Sequence, residues 1–422
     1  MGNEFRYIGK AMPRRDGVQI VTGTAQFLDD LKFPNMLYGK VLRSAHAHAL
    51  IKKIDKSKAE ALPGVKAVVT WEDIPDWRGG TPRNVRVLDK KVRYVGDAVA
   101  LVAATSEQIA EEAVSLIDVE YEILPAVFDI DSALAPDAPK LYEEYKGNIV
   151  PEGTPIYGPN CLTGVVRGDA EKGFAEAEII AEGTFGYENI PSALPPESIG
   201  AIAIWEPPDR AIIYSTSQAP YMDKVTLFHV FNRQVEIRSI GHHVGGSFGT
   251  KFMCWQVQSY AIILARATGR PVKVVFTKEE HMAAFTLRIG SRVQGKVGIK
   301  KDGTIIAIRG TWYVDTGYYS STTQCQVAVA CGELMIMTQC PNCDLRSVIV
   351  ATNRNASGST RGFGGQELEC AFTPILCMAM QKAGLDPFEV FKKNFVKPGG
   401  GYFWRDGRWY QYRGVDFTRA ME

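Results

Sequence analysis

Histidine and cysteine are scarce in this chain of 422 residues, with 6 and 8 copies. Eight cysteines are too sparse for a disulfide framework, so they read as reduced thiols of a reducing compartment. Only Cys340-Pro-Asn-Cys343 has metal-ligand spacing, and Cys325 and Cys331 do not complete a second pair. Two buried or loop thiols are the plain reading. Charge of one sign is missing too: 48 Lys and Arg nearly cancel 47 Asp and Glu, without a block of either. That disfavours a nucleic-acid or anionic-membrane partner. No stretch runs eighteen residues without charge, Gly or polar interruption, and MGNEFRYIGKAMPRRDG lacks an apolar signal-peptide core. A cytoplasmic protein with no membrane span is therefore expected. No fixed-period repeat appears, which disfavours solenoids and propellers.

What is present predicts two or three domains. After an arm over 1–18, residues 19–130 read as an α/β unit. MLYGKVLRS, VKAVVT and AVALVAAT have strand composition, and SEQIAEEAVSLI places Ile109, Ala113, Leu116 and Ile117 at helical spacing behind a Ser106 cap. A strand, DVEYEIL, closes the unit. Residues 131–160 are rich in Pro, Asp, Gly and Asn and read as a linker. Over 161–422 the strand-like runs CLTGVVRG, AEIIAEGTF, IGAIAIW, RAIIYSTS and VEIRSI accompany two apolar helices, Trp255 to Thr268 and Glu367 to Gly384. The fold class expected is α+β, an α/β unit followed by a larger mixed domain.

Three loops in the second domain are where chemistry is sought. Tyr214-Ser-Thr-Ser-Gln218-Ala-Pro220 sets a polar amide at a strand end. Gly241-His-His-Val-Gly-Gly-Ser-Phe-Gly-Thr-Lys251 packs four glycines around one aromatic ahead of a helix. Such glycines let backbone N–H groups approach an anionic group closely. Thr250 separates the last glycine from Lys251, so this is not a phosphate-binding Walker loop. Ser359-Thr-Arg361-Gly-Phe363-Gly-Gly-Gln366 again precedes an apolar helix, and suits a stacked planar ligand with a held oxyanion.

In order, S-x-Q-x-P, G-G-x-F-G-x-K and R-G-F-G-G resemble the molybdopterin-binding subunit of the xanthine dehydrogenase and aldehyde oxidase family. Gly23-Thr-Ala25, Ser44-Ala-His46-Ala-His48, Tyr94-Val-Gly96-Asp97 and Tyr121-Glu-Ile-Leu-Pro125 resemble its hammerhead domain. The resemblance implies a molybdenum–pterin cofactor, molybdopterin or its cytosine dinucleotide, with no side chain bound directly to the metal. It implies that Gln218 hydrogen-bonds an oxygen ligand of molybdenum, that Phe248 and Gly249 present backbone close to it, and that Arg361, Gly362 and Phe363 face them. Gly245, Gly246 and Gly364 join the cofactor-binding set; Phe252 and Phe363 are the substrate-contacting candidates. His46 and His48 match a structural motif. The activity implied is hydroxylation of an electron-poor carbon with oxygen from water.

Several positions depart from the family pattern. Phe252 stands where an acidic residue is frequent, Pro195-Pro196-Glu197 replaces a Glu-Pro pair, and Gln366-Glu367 replaces Pro-Gln. Gln326-Val-Ala-Val-Ala-Cys331 carries no counterpart of the arginine of purine-oxidising members, and the third loop lacks the cysteine of carbon monoxide dehydrogenases. An aromatic, N-heteroaromatic or aldehyde substrate is thus expected over a purine. By family comparison the chain ends in mid-domain, resembling the split molybdopterin subunit of nicotinate dehydrogenases. The general base is then expected on a second molybdopterin subunit, beside an iron–sulfur subunit with 2Fe-2S clusters and a flavin subunit with FAD. The aromatic stretch 402–413 reads as partner interface. Two other readings stay open: an aromatic acyl-CoA reductase subunit, and a scaffold that has lost the metal.

Overall fold

The computed structural model describes residues 5–80, 83–151, 163–191, 193–253, 255–403, 408–412 and 416–421. Part of the expected linker (152–160), the start of the run 161–168, and residues 404–407 and 413 of the aromatic stretch lie outside the described residues.

Two sheets organise the chain. The larger has seven strands in the order Glu236–Ile240, Arg210–Ser215, Gly200–Glu206, Val272–Val275, Leu37–Arg43, Ala98–Ala104, Val65–Val69. Its middle strand pairs are antiparallel except where Leu37–Arg43 runs parallel to Val272–Val275. The sequence places those two strands on opposite sides of the expected linker, so the α/β unit and the larger domain share one sheet. Ala98–Ala104 is buried along its whole length. It is covered on both faces, which is why it reads as a continuous apolar run rather than an alternation. Ala100, Val102 and Ala104 pack with Ala110 and Ala113 of the helix Glu107–Ser115, whose N-terminus is capped as expected: Ile109 N donates to Ser106 Oγ at 3.2 Å. The other face joins the main core with the helix Trp255–Thr268. That helix lies so close that a Cβ on Gly39 would come within 2.8 Å of Leu264 Cδ1.

The second sheet has the order Ile179–Tyr187, Gly290–Ile299, Ile305–Asp315, Cys343–Val350, Gly164–Arg167. The helix Gly365–Ala383 packs on it, with Thr323–Thr338 alongside. Thr323–Thr338 is buried nearly throughout, and it contains the segment Gln326 to Cys331. The expected linker is also more ordered than its composition suggests. Its residues 131–134 belong to the helix Ile130–Leu134, and Leu141, Tyr142, Tyr145 and Val150 enter the core. Buried Asn148 replaces regular secondary structure there, accepting from Leu141 N and donating to Ala133 O and Pro139 O, all at 3.0–3.1 Å. Among the described residues no helix is long and apolar enough to cross a membrane.

Topology positions the loops. Arg210–Ser215 and Glu236–Ile240 are parallel neighbours, so their C-terminal ends, and the loops that follow, emerge at the same end of the sheet. Ligands of open α/β sheets sit at such strand ends. Cys343–Val350 of the second sheet leads toward the third loop from the other side.

Leu101 is fully buried and registers with Val41 and Val69 in the shared sheet. Leu101→Ala is expected to cost about 3 kcal/mol, read as a lowered urea midpoint with an unchanged slope.

Candidate functional site

Gln218, Phe248, Gly249, Phe252, Ser359, Thr360, Arg361, Gly362 and Phe363 line one open cleft of about 440 Å³. All three loops therefore meet. They touch through backbone: Arg361 N donates to Phe248 O at 2.9 Å. A Cβ on Gly249 would lie 2.9 Å from Thr360 Cα, so glycine is required for that approach as well as for its φ of 95°. Both loops carry a Phe-Gly pair with two successive left-handed residues, Phe248 at 55° before Gly249, and Phe363 at 44° before Gly364 at 100°. A left-handed phenylalanine is a strained conformation that persists only where its surroundings dictate it.

Gln218 is oriented by its neighbours. Its N–H donates to Lys251 O at 3.2 Å, and Ser247 Oγ donates to its Oε1. Ser247 Oγ is already an acceptor from Lys251 N at 3.2 Å, which sends its proton to the glutamine. The carboxamide N–H2 is left without a partner among the described residues, as are the backbone N–H groups of Phe248 and Gly249. Below this loop, Ser215 Oγ and Ser217 Oγ each donate to buried Asp223 at 2.9 Å. Burial pushes the Asp223 carboxyl up to about 6, against those two hydrogen bonds.

Lys251 is not available to a ligand. It is fully buried and its Nζ lies 3.0 Å from Glu197 Oε2. The same oxygen accepts from Gly245 N at 2.7 Å, so one carboxylate ties the middle of the second loop to its end. Glu197 Oε1 also accepts from Leu28 N at 3.3 Å. Around the third loop, Arg288 pairs with fully buried Glu367 at 2.5 Å.

The cleft does not take in every candidate. Gly245 and Gly246 are not among its lining residues: the first faces Glu197, where a Cβ would lie 2.5 Å from Glu197 Cβ, and the second sits against Pro195, Pro196 and the Phe248 ring. Gly364 is buried with its N–H on Glu367 Oε2 at 2.9 Å. These three shape the loops rather than face the cleft. Glu197, Asp223, Arg288 and Glu367 carried no functional assignment in the sequence. For Glu367 a local signal existed, an acid three residues after the helix-opening glycine.

The set-aside motifs have structural partners. His48 Nδ1 meets Pro125 O at 2.5 Å, with burial lowering its pKa, and His46 packs edge-on to Tyr121 at 4.8 Å. Cys340 and Cys343 are buried. Burial raises the Cys340 thiol to about 12 and Cys343 well above its ordinary value. Among the described residues no three His, Cys, Asp or Glu side chains could jointly hold a metal ion.

A cleft whose free groups are a side-chain amide, unpaired backbone N–H groups and one guanidinium suits a large, oxygen-rich ligand held by donors. The comparisons agree with that class. A family profile described as "Molybdopterin cofactor-binding domain" matches residues 155–395, and "Aldehyde oxidase and xanthine dehydrogenase, a/b hammerhead domain" matches 22–125. The chain belongs to the molybdopterin-binding family of xanthine dehydrogenases and aldehyde oxidases. It is 35% identical over 391 residues to a probable xanthine dehydrogenase subunit of Bacillus subtilis (strain 168), covering 91% of this chain and 50% of that one. Against the nicotinate dehydrogenase large molybdopterin subunit of Eubacterium barkeri it is 29% identical over 397 residues, 92% and 89% of the two chains. Quinoline 2-oxidoreductase from Pseudomonas putida 86 superposes with a TM-score of 0.81 at 28% identity, over 98% of this chain and 53% of that one. The chain thus spans about half the length of most of these relatives.

Two outcomes are expected. Glu197→Gln removes the carboxylate set against buried Lys251, at a cost of about 3–5 kcal/mol, measurable by chemical denaturation. Between the ordinary aspartate range and about pH 6 the folded chain holds a proton on Asp223 that the unfolded chain has lost. Its contribution to stability therefore falls as pH rises through that window. Asp223→Asn should gain thermal stability relative to the native chain as pH rises from about 4 to about 7; a difference that does not grow with pH rejects this.

Proposed function

We propose that this chain is the large molybdopterin-binding subunit of a heteromeric molybdenum hydroxylase that oxidises an electron-poor carbon of an aromatic, N-heteroaromatic or aldehyde substrate. The observation that carries the reading is the chemistry of the cleft. Its donors converge from three loops, and Arg361 is the one ionisable side chain among its lining residues. A hydroxylase needs a general base at the reacting carbon, and no carboxylate lines this cleft among the described residues. The base is therefore assigned to a second molybdopterin subunit facing the open side.

The molybdenum–pterin group, when bound, supplies the two-electron redox chemistry and draws the incorporated oxygen from water. Gln218 would donate its free amide to it, and the Phe248–Gly249 backbone its unpaired N–H groups. Arg361 would counter negative charge, and Gly362 lets the backbone come close. Phe363 and Phe252 offer ring faces to a planar substrate. Phe252 in place of an acid removes an anchor for a polar heterocycle such as a purine. The helix Thr323–Thr338, buried nearly throughout, offers no cation in its place. Iron–sulfur and FAD subunits would carry the electrons away. The half-exposed Trp409 and Tyr410, on a hairpin with Gly401–Phe403, are assigned to a partner interface.

The test is metal and pterin analysis of the purified complex, followed by turnover in 18O-labelled water. Molybdenum, pterin and label in the product are expected. Protein free of both metal and pterin, from cells competent to make the cofactor, sinks the enzyme reading in favour of a scaffold. Reduction of an aromatic thioester without labelled product would reassign the direction. Gln218→Ala should lower kcat by roughly 10²-fold, in the range of removing one preorganised donor, with little change in KM.

A further inference from the structure

The third loop follows an improbable course. Gly362, Phe363 and Gly364 are all left-handed, at φ of 103°, 44° and 100°. Three such residues in a row, one of them bulky, do not hold themselves. The bonds made inside the loop, Phe363 N to Thr360 O at 2.9 Å and Gly365 N to Gly362 O at 3.1 Å, are local turns that an alternative course could replace.

Besides the Arg361 N bond to Phe248 O, Arg288 grips the loop from outside. Its Nη2 donates to Arg361 O at 3.0 Å, and its Nη1 to Glu367 Oε1 at 2.5 Å. Glu367 Oε2 in turn accepts from Gly364 N at 2.9 Å. The guanidinium and the carboxylate together close a bridge from the carbonyl that opens the left-handed stretch to the N–H that ends it. Arg288 is itself held: adjoining Leu287 donates to Ala356 O at 2.8 Å and accepts from Gly358 N at 3.0 Å, on the segment that leads into the loop. We propose that Arg288 is a positioning residue, whose fork, braced by Glu367, fixes where Arg361 and Phe363 stand in the cleft.

Only a planar fork serves both partners; a lysine presents one nitrogen. Arg288→Lys is therefore the informative variant, since it keeps a cation opposite buried Glu367 while giving up the Arg361 carbonyl. Arg288→Ala would strip that counter-charge and endanger the fold.

Exposed Arg361 gives a direct readout, because trypsin cleaves after it once the loop opens. In the full complex, Arg288→Lys is expected to speed cleavage of the Arg361–Gly362 bond by about tenfold, with other tryptic sites and the thermal midpoint unchanged. An unchanged rate at that bond, or an equal rise at all sites, overturns the proposal. The catalytic consequence rests on the hydroxylase reading. Arg288→Lys and Arg361→Ala should each lower kcat, and the double variant should fall no further than Arg361→Ala alone; multiplied losses would overturn the coupling. A complex without molybdenum refutes the reading instead, and leaves the proteolysis result to judge Arg288.

Discussion

Two carboxylates, Glu367 fully buried and Glu197 partly so, hold the cleft together. Glu197 ties the middle of the second loop to its end through Gly245 N and Lys251 Nζ, and Glu367 holds the third through Gly364 N and Arg288. Each carboxylate is matched by a buried or nearly buried cation. Ion pairs of this kind contribute little net stability compared with apolar packing, because both charges leave water. What they provide here is geometry. A hydrophobic contact tolerates sliding, whereas a carboxylate with two directed bonds does not. The left-handed Phe248 and Phe363 are conformations that packing alone would relax.

That division explains what is legible in the chain before its fold is known. The helix behind Ser106, the helix Trp255–Thr268 and the strands of the first unit follow from local periodicity and caps, and they appear where those signals place them. The three loops are legible for the same reason, since glycine spacing is a local pattern. The family resemblance then orders them, and the cofactor class it implies agrees with the matched profiles. The clamps are another matter. Glu197 and Lys251 are separated by 54 residues, Arg288 and Glu367 by 79, and no periodicity links them. The shared sheet is equally invisible, because Leu37–Arg43 pairs with Val272–Val275 across more than two hundred residues. Composition also misleads over 131–151. Proline, glycine and asparagine suggest a slack connector, yet Asn148 supplies the hydrogen bonds that secondary structure would have made.

Charge around the third loop extends the same logic. Burial, then repulsion from Glu369 and Glu367, pushes the Glu333 carboxyl up to about 7, and Glu369 is raised by burial and by Glu367. The carboxylates behind the loop therefore crowd one another, and Arg288 is the cation set against Glu367. The cleft side has the opposite character: Arg361 faces it, and no acid stands among its lining residues. Negative charge is concentrated behind the loop and positive charge in front, an arrangement that favours an anionic group in the cleft.

The shared sheet also bears on how the cleft responds to its surroundings. Glu197 takes a hydrogen bond from Leu28 N, and His243 of the second loop meets Gln19 at 3.0 Å and the Phe27 ring at 6.0 Å. The N-terminal segment therefore reaches the same carboxylate that sets the second loop. From there one backbone bond, Arg361 N to Phe248 O, carries position to the third loop. A displacement of residues 19–28 has a short and fully bonded route to both walls of the cleft. The hammerhead portion is thus more than a neighbour of the cofactor domain: its sheet continues into that domain, and the chain that enters it is bonded to the site.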